Sequence, residues 1–265
     1  MTTTRRTLLT GSVAAATGSL LGAPAAQAHT RQGHQPKPTV VLVHGAFADA
    51  SGWNDVAARL NRAGYPVIAP ANPLRGVSAD SAYLASILAT LPGPLVLAAH
   101  SYGGMVITNA ATGNSAVKGL VYVAAFAPDQ GESLLALQSR FPGTELTEAA
   151  LDFRPYDVDR VDGYIKKEVF HDVFAGDLRE STTDLMWASQ RPADVRTLGE
   201  PSGSPAWASI SSWYLVARDD KVIPAAAQRF MAQRAGARVQ EVRASHVAMI
   251  SQPAAAADLI QRAAR

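Results

Sequence analysis

Ser101 stands in a sequence that suits a nucleophilic serine. The segment LVLAAHSYGG around it is an apolar run that leads into the serine and then into a stretch compatible with a helix. A serine hydroxyl becomes a useful nucleophile when a sharp strand-to-helix turn presents it to a base, and such a turn admits only small residues at its two tight positions. Ala99 and Gly103 occupy those positions, with Ala99 where the usual motif has glycine. We predict that Ser101 is a nucleophile.

Two later segments offer an acid and a base that could activate this serine. The segment SWYLVARDDKVIP is an apolar strand pattern that ends in Asp219 and Asp220, and the segment VRASH ends in His246. Residues at the carboxyl ends of parallel strands face the crevice in which such sheets bind ligands. Either segment alone would suit an ordinary surface loop. Together with Ser101 they predict a Ser–His–Asp triad that performs acyl transfer.

Strand and helix patterns alternate along the segments that must position these residues. Strands are predicted at 39–43, 66–69, 95–99, 120–125, 213–217 and 238–243. Helices are predicted at 53–63, 81–91, 102–111, 224–235 and 253–264. Alternation of this kind implies right-handed crossovers and a mostly parallel sheet. The predicted fold class is α/β, with about six strands flanked by helices.

Residues 128–207 break this alternation. They contain short amphipathic stretches at 147–151 and 161–174 that predict helices. An insertion at this place predicts a helical cap that excludes water and shapes the substrate pocket. The apolar residues of the insertion could line that pocket or form the core of the cap, and both interpretations stay open for Phe170, Met186 and Trp187.

The first 28 residues have the pattern of an export signal. The paired Arg5 and Arg6 precede a moderately apolar stretch, and a small-residue cleavage site ends at Ala28. Paired arginines are typical of the twin-arginine route, so we predict a secreted or periplasmic protein. Residues 29–38 are polar and contain proline, which predicts a disordered lead-in. The predicted α/β domain then occupies 39–265.

The composition excludes several classes of partner and site. The chain has 24 Lys and Arg against 22 Asp and Glu, and two of the arginines lie in the predicted signal, which leaves 22 of each sign. This balance gives no reason to expect a nucleic acid as partner. The absence of cysteine excludes disulfides, thiolate metal sites and a lipid-modified cysteine. The N-terminal segment is too short and weakly apolar for a stable membrane anchor.

Five segments of the chain carry a family resemblance. They read VVLVHGAFADASGW, AHSYGGMVI, YVAAFAPDQGES, SWYLVARDDKVIP and ASHVAMISQP. They resemble the α/β-hydrolase superfamily, specifically its small esterase and methylesterase-like members related to hydroxynitrile lyases, over roughly residues 38–265. The resemblance implies that His246 is the general base and then the acid. It favours Asp220 over Asp219, because the family's acid usually stands four residues before the proline that Pro224 matches.

The same resemblance assigns the groups that surround the reacting ester. It implies that the backbone N–H groups of Ala46 and Tyr102 form the oxyanion hole, with Phe47 as the second choice for the former. It places Phe47 and Val247 in contact with the substrate. The histidines of the HGAF and AHSYGG segments are interpreted as residues that shape their turns.

These features predict an exported serine esterase that acts on a small-molecule ester without metal or cofactor. A cofactor-free perhydrolase or haloperoxidase, or a lactonase, could use the same triad, and the fold also hosts non-catalytic binding proteins. The related hydroxynitrile lyases carry Thr where Gly45 stands and Lys where Val247 stands. These two departures predict that cyanohydrin cleavage is absent.

Overall fold

The computed structural model describes residues 36–265. The predicted signal peptide at 1–28 and residues 29–35 of the predicted lead-in lie outside the described residues. Within 36–265, no helix is long and apolar enough to cross a membrane. The strands of this part are β1 (Thr39–Val43), β2 (Val67–Ile68), β3 (Leu95–Ser101), β4 (Val117–Ala125), β5 (Leu151–Asp157), β6 (Arg160–Ile165), β7 (Ala193–Asp194), β8 (Ser212–Ala217) and β9 (Arg238–Val242).

Six of these strands form a parallel sheet with the order β2-β1-β3-β4-β8-β9. The α/β class and the six predicted strands are therefore confirmed. All seven residues of β3 are buried, as expected for a strand covered by helices on both faces of the sheet. Because the strands are parallel, the loops after β1, β3, β8 and β9 meet at one edge.

Helices cover this sheet, and four further helices, α4 to α7 below, lie in the insertion. They are α1 (Asn54–Arg62), α2 (Val77–Leu88), α3 (Gly103–Ala110), α4 (Leu134–Arg140), α5 (Lys167–Phe174), α6 (Glu180–Ala188), α7 (Arg196–Gly199), α8 (Ala225–Arg234), α9 (Ala248–Ser251) and α10 (Pro253–Ala263). Helix α1 packs on α10, and α2 packs on α3. Helix α3 begins two residues after Ser101, so the strand-to-helix turn lies where the sequence predicts it.

The insertion contains a three-stranded antiparallel sheet, β5-β6-β7, in addition to its helices. The helix predicted at 161–174 is wrong over its first part, because Val161 to Ile165 belong to β6 and the helix begins at Lys167. The helix predicted at 147–151 is a single 3-10 turn, Glu148–Ala150. Short apolar runs fit either structure, and here a turn with Asp159 at φ 56° lets β6 pair with β5 as a hairpin.

Candidate active site

The turn between β3 and α3 holds Ser101 in a backbone conformation that few residues adopt. Its φ is 52°, in the left-handed region. Gly103 faces the end of β1, where an added Cβ would lie 2.8 Å from the carbonyl oxygen of Val43. At Gly104 an added Cβ would overlap the carbonyl oxygen of Phe126. The sequence motif identifies Gly103 as a tight position but not Gly104, which has the closer neighbour.

The structure brings together the three side chains that were predicted to form a triad. His246 Nε2 lies 2.8 Å from Ser101 Oγ, and His246 Nδ1 lies 2.8 Å from Asp220 Oδ2. All three residues are buried. A carboxylate that accepts from Nδ1–H leaves the Nε2 lone pair facing the serine hydroxyl, which is the arrangement needed to remove its proton.

The two candidate acids have different surroundings. Asp220 is buried, and its Oδ1 accepts hydrogen bonds from the backbone N–H groups of Val222 at 2.7 Å and Ile223 at 2.9 Å. Asp219 is exposed and lies 3.5 Å from the exposed guanidinium of Arg243. The structure therefore places Asp220, and not Asp219, beside the imidazole ring.

Ala46 and Tyr102 line the same cavity as Ser101. The N–H groups of Ala46 and Tyr102 have no hydrogen-bond acceptor among residues 36–265. The N–H of Phe47, the second choice for the first of these, donates to the carbonyl oxygen of Arg191 at 3.0 Å. The Phe47 N–H is therefore already occupied, whereas the N–H groups of Ala46 and Tyr102 could donate to a ligand oxygen.

His100 and His44 are held as neutral rings within the turns. His100 Nε2 donates to the backbone carbonyl of His246 at 3.0 Å. Burial and the nearby His246 ring lower the pKa of His100 well below its usual value. His44 Nδ1 donates to the Gly45 carbonyl at 2.9 Å, while its Nε2 accepts from the Asn72 N–H at 2.9 Å. Burial lowers the pKa of His44 as well. These contacts fit the interpretation that both histidines shape their turns.

A cavity of about 440 Å³ lies over Ser101. Its wall includes Ala46, Phe47, Tyr102 and His246, and most of the remaining lining is apolar side chains of the cap and its margins. The apolar members are Phe126, Leu134, Leu135, Leu146, Leu151, Phe153, Phe174, Val195, Leu198 and Val222. Glu148 is the one acidic residue of this lining, and no lysine or arginine belongs to it within the described part of the chain. Such a wall suits a neutral, largely apolar molecule.

Val247 does not line this cavity. It is fully buried and lines a second cavity of about 220 Å³, together with Met186. Phe47 belongs to the walls of both cavities. The expected contact of Val247 with the substrate therefore lacks support, because Val247 lines the second cavity and not the cavity over Ser101.

Phe170 and Trp187, the other two cap residues with open interpretations, do not line the cavity over Ser101. Phe170 packs against Phe174 with ring centroids 5.1 Å apart. The indole Nε1 of Trp187 donates to the carbonyl oxygen of Ile165 at 3.1 Å, which ties α6 to β6. The alternative that these two residues form the core of the cap is the one that the structure supports.

The parallel sheet, the tight turn at Ser101 and the hydrogen-bonded side chains beside it are features of α/β hydrolases. The model of the alpha/beta hydrolase family matches residues 40–259, so the chain belongs to that family. A carbendazim hydrolyzing esterase from Nocardioides sp. (strain SG-4G) is 36% identical over 110 residues, which cover 37% of this chain and 46% of that protein. Family membership and this relative support assignment as a carboxylic-ester hydrolase.

Two further proteins match over nearly their whole lengths. The alpha/beta hydrolase nvfD of Aspergillus novofumigatus (strain IBT 16806) is 26% identical over 251 residues, with 86% of this chain and 97% of that protein covered. The crystal structure of polyneuridine aldehyde esterase superposes with a TM-score of 0.74 at 21% identity and covers 85% of this chain and 98% of the other. This likeness confirms the fold predicted from the resemblance to small esterases.

Proposed function

We propose that the protein hydrolyses a neutral carboxylic ester through an acyl-enzyme formed on Ser101. The continuous hydrogen bonds from Ser101 Oγ through His246 to Asp220 carry this proposal. The backbone N–H groups of Ala46 and Tyr102, which have no acceptor among residues 36–265, support it, as does the apolar cavity over the serine. Together these groups provide a nucleophile, a base, an orienting acid and an oxyanion hole.

Acylation begins when His246 Nε2 takes the proton of the Ser101 hydroxyl. Oγ then forms a bond to the ester carbonyl carbon, and the electron pair of the C=O bond moves to the oxygen. The N–H groups of Ala46 and Tyr102 bind this oxyanion. Asp220 stabilises the imidazolium while it exists. When the carbonyl re-forms, the bond to the alcohol oxygen breaks, and His246 gives its proton to the leaving alcohol.

Deacylation repeats these steps with water. His246 removes a proton from a water molecule, the hydroxide oxygen binds the acyl carbon, and the same N–H groups hold the oxyanion. The bond to Ser101 Oγ then breaks, Oγ recovers a proton from His246, and the acid product is free. No atom of a metal or cofactor takes part in this proposed sequence.

The test is replacement of Ser101 together with direct detection of the acyl-enzyme. A fluorophosphonate probe is expected to label Ser101, and Ser101→Ala is expected to lose on the order of 10³-fold or more in kcat while it stays folded. Mass spectrometry after brief mixing with p-nitrophenyl butyrate is expected to find a butyryl group on the Ser101 peptide. The matched control is Ser86→Ala, on the exposed face of α2. Undiminished turnover by Ser101→Ala would refute the proposal.

The substrate panel separates this function from the alternatives on the same triad. Neutral aryl and alkyl esters are expected to be hydrolysed faster than lactones, and acetate with peroxide is expected to give little peracid. Mandelonitrile cleavage is expected to be absent, since an added Cβ at Gly45 would lie 2.6 Å from Ser101 Cβ and leaves no room for a threonine. A Ser101-dependent lyase rate would contradict this expectation.

We also propose that the protein is exported by the twin-arginine route. The paired Arg5 and Arg6 and the cleavage site that ends at Ala28 support this. Sequencing of secreted or periplasmic protein is expected to find His29 at the N-terminus. The double variant Arg5→Lys, Arg6→Lys is expected to leave precursor in the cell, while Arg31→Lys, beyond the cleavage site, exports normally. Normal export of the double variant would argue for the general secretory route.

A further inference from the structure

Tyr102 has a side chain that the proposed reaction does not use. Its hydroxyl donates to Asp80 Oδ2 at 2.7 Å, and both residues are fully buried. Burial, followed by the charge of Asp80, raises the pKa of Tyr102, so the hydroxyl stays protonated and acts as the donor. The residue that is proposed to supply an oxyanion donor through its backbone N–H is thus anchored through its side chain.

Asp80 is in turn held by the segment that precedes α2. Both of its carboxylate oxygens accept from the backbone N–H of Arg75, at 3.0 and 3.1 Å. A buried carboxylate is costly unless its oxygens accept hydrogen bonds, so the positions of these donors are strongly constrained. Asp80 therefore links the position of the Tyr102 side chain to the backbone at residue 75.

Three hydrogen bonds join that segment of backbone to the cap. The Arg75 guanidinium donates to Asp162 on β6 at 2.6 Å. The Arg196 guanidinium donates to the Arg75 carbonyl at 2.6 Å, and the N–H of Asp194 on β7 donates to the Leu74 carbonyl at 3.0 Å. These bonds lie on both sides of the Arg75 N–H, which donates a hydrogen bond to Asp80.

We propose that Asp80 and the Tyr102 hydroxyl are positioning groups for the oxyanion hole, and that the cap sheet fixes them through Arg75. The Asp80 bond restricts the Tyr102 ring and, through it, the direction of the Tyr102 backbone N–H. The cap then has a second role besides covering the cavity, because its strands hold in place the Tyr102 N–H that binds the oxyanion of the transition state. This inference rests on the proposed esterase function.

The test compares Tyr102→Phe with Tyr122→Phe. Tyr122 is also fully buried, and its hydroxyl bonds Thr108 Oγ1 at 2.9 Å, away from the cavity. The measurements are kcat/KM for p-nitrophenyl butyrate and the inhibition constant of an aryl trifluoromethyl ketone. Ser101 Oγ adds to the carbonyl carbon of this ketone, His246 takes the proton, and the ketone oxygen becomes an oxyanion. Active-site titration and thermal melting normalise for loss of folded protein.

Tyr102→Phe is expected to lower kcat/KM and to weaken ketone binding in parallel, each on the order of tenfold, because both need the same donor. Tyr122→Phe is expected to stay within about twofold in both measurements, whatever its melting temperature. Equal behaviour of the two variants, or a loss of kcat/KM without weaker ketone binding, would overturn the positioning role.

Arg75→Met tests the part played by the cap. It keeps the Arg75 N–H that Asp80 accepts and removes the guanidinium bond to Asp162. A smaller parallel loss in both measurements is expected, and wild-type values would overturn the cap's contribution. Absence of Ser101-dependent turnover in the unaltered protein would instead refute the proposed function, and this inference with it.

Discussion

The side-chain amide of Gln228 donates to Asp220 Oδ2 at 2.8 Å, the oxygen that also accepts from His246 Nδ1. Gln228 is fully buried on α8, and its Oε1 accepts from the N–H of Ala217, the last residue of β8, at 3.0 Å. One glutamine thus joins the strand end, the helix and the acid. It fixes the oxygen that orients the imidazole ring.

Gln228→Leu is expected to lower kcat/KM by roughly tenfold, because Asp220 loses a donor and can turn about its remaining bonds. It is also expected to destabilise the fold by about 1–3 kcal/mol, since the Ala217 N–H loses its acceptor. Steady-state kinetics and urea unfolding measure the two effects. Gln233→Leu, at an exposed position of α8, is the control. Equal kinetics in the two variants would show that Gln228 serves stability alone.

Replacement of the two adjacent acids separates their roles. Asp220→Asn is expected to lose about 10⁴-fold in kcat while the protein stays folded, because the amide no longer fixes the histidine tautomer or stabilises the imidazolium. Asp219→Asn is expected to be nearly normal, since its exposed carboxylate pairs, among residues 36–265, with Arg243 alone. The measurement is hydrolysis of one soluble ester near neutral pH. If Asp219→Asn were the more impaired variant, the acid of the triad would be Asp219. If neither variant lost activity, the acid of the triad would lie elsewhere in the chain.

Gly104→Ala tests the close approach of α3 to the strand end. The new methyl would overlap the Phe126 carbonyl oxygen, so the helix or the backbone at residue 126 must shift. A loss of about 2 kcal/mol or more in unfolding free energy is expected. Gly199→Ala, where an added Cβ has no neighbour within 4 Å, is the control and is expected to leave stability unchanged or slightly raised. Urea unfolding that ranks the two variants equally would contradict the packing described for α3.

We expect His100 to make the stability of the fold depend on pH. Its pKa is lowered in the folded state by burial, while in the unfolded chain it returns to about 6.5. Below that pH the unfolded chain binds the extra proton, so stability falls as the pH falls. The slope for one such proton is at most about 1.4 kcal/mol per pH unit.

His100→Gln keeps a donor for the His246 carbonyl and removes the titrating group. Urea unfolding at pH 7.5 and 5.0 is therefore expected to give a smaller loss of stability for the variant than for the unaltered protein. Other groups contribute equally to both proteins and cancel in the difference. Parallel losses would show that His100 is not neutral in the folded protein.

The sequence predicted those parts of the site that depend on residue type and on the ends of strands. Ser101 ends β3, and Asp220 and His246 lie in the loops after β8 and β9, so parallel pairing alone brings them to one edge. The choice of Asp220 over Asp219 needed the family resemblance, because strand position does not separate neighbours. The roles of Asp80 and Gln228 were not predicted from the sequence, because a polar residue in a predicted helix is expected to be exposed until its tertiary partner is known.

The cap was the least predictable part of the fold. The segment that became β6 has a mix of apolar and polar residues that fits helix or strand, and its pairing with β5 decides between them. Gly104 shows the same limit at the active-site turn. The sequence shows that Gly104 has no side chain. The Phe126 carbonyl oxygen that leaves no room for one comes from the end of another strand, so the sequence alone does not reveal this contact.

The cavity wall also has a consequence for the end of each catalytic cycle. An ester enters without charge, whereas the acid that leaves is an anion at neutral pH. Within the described lining this anion meets Glu148 and no lysine or arginine. A buried anion without a cationic partner is poorly stabilised. We therefore expect weak product inhibition by the acid, so that turnover continues at high conversion as the acid accumulates.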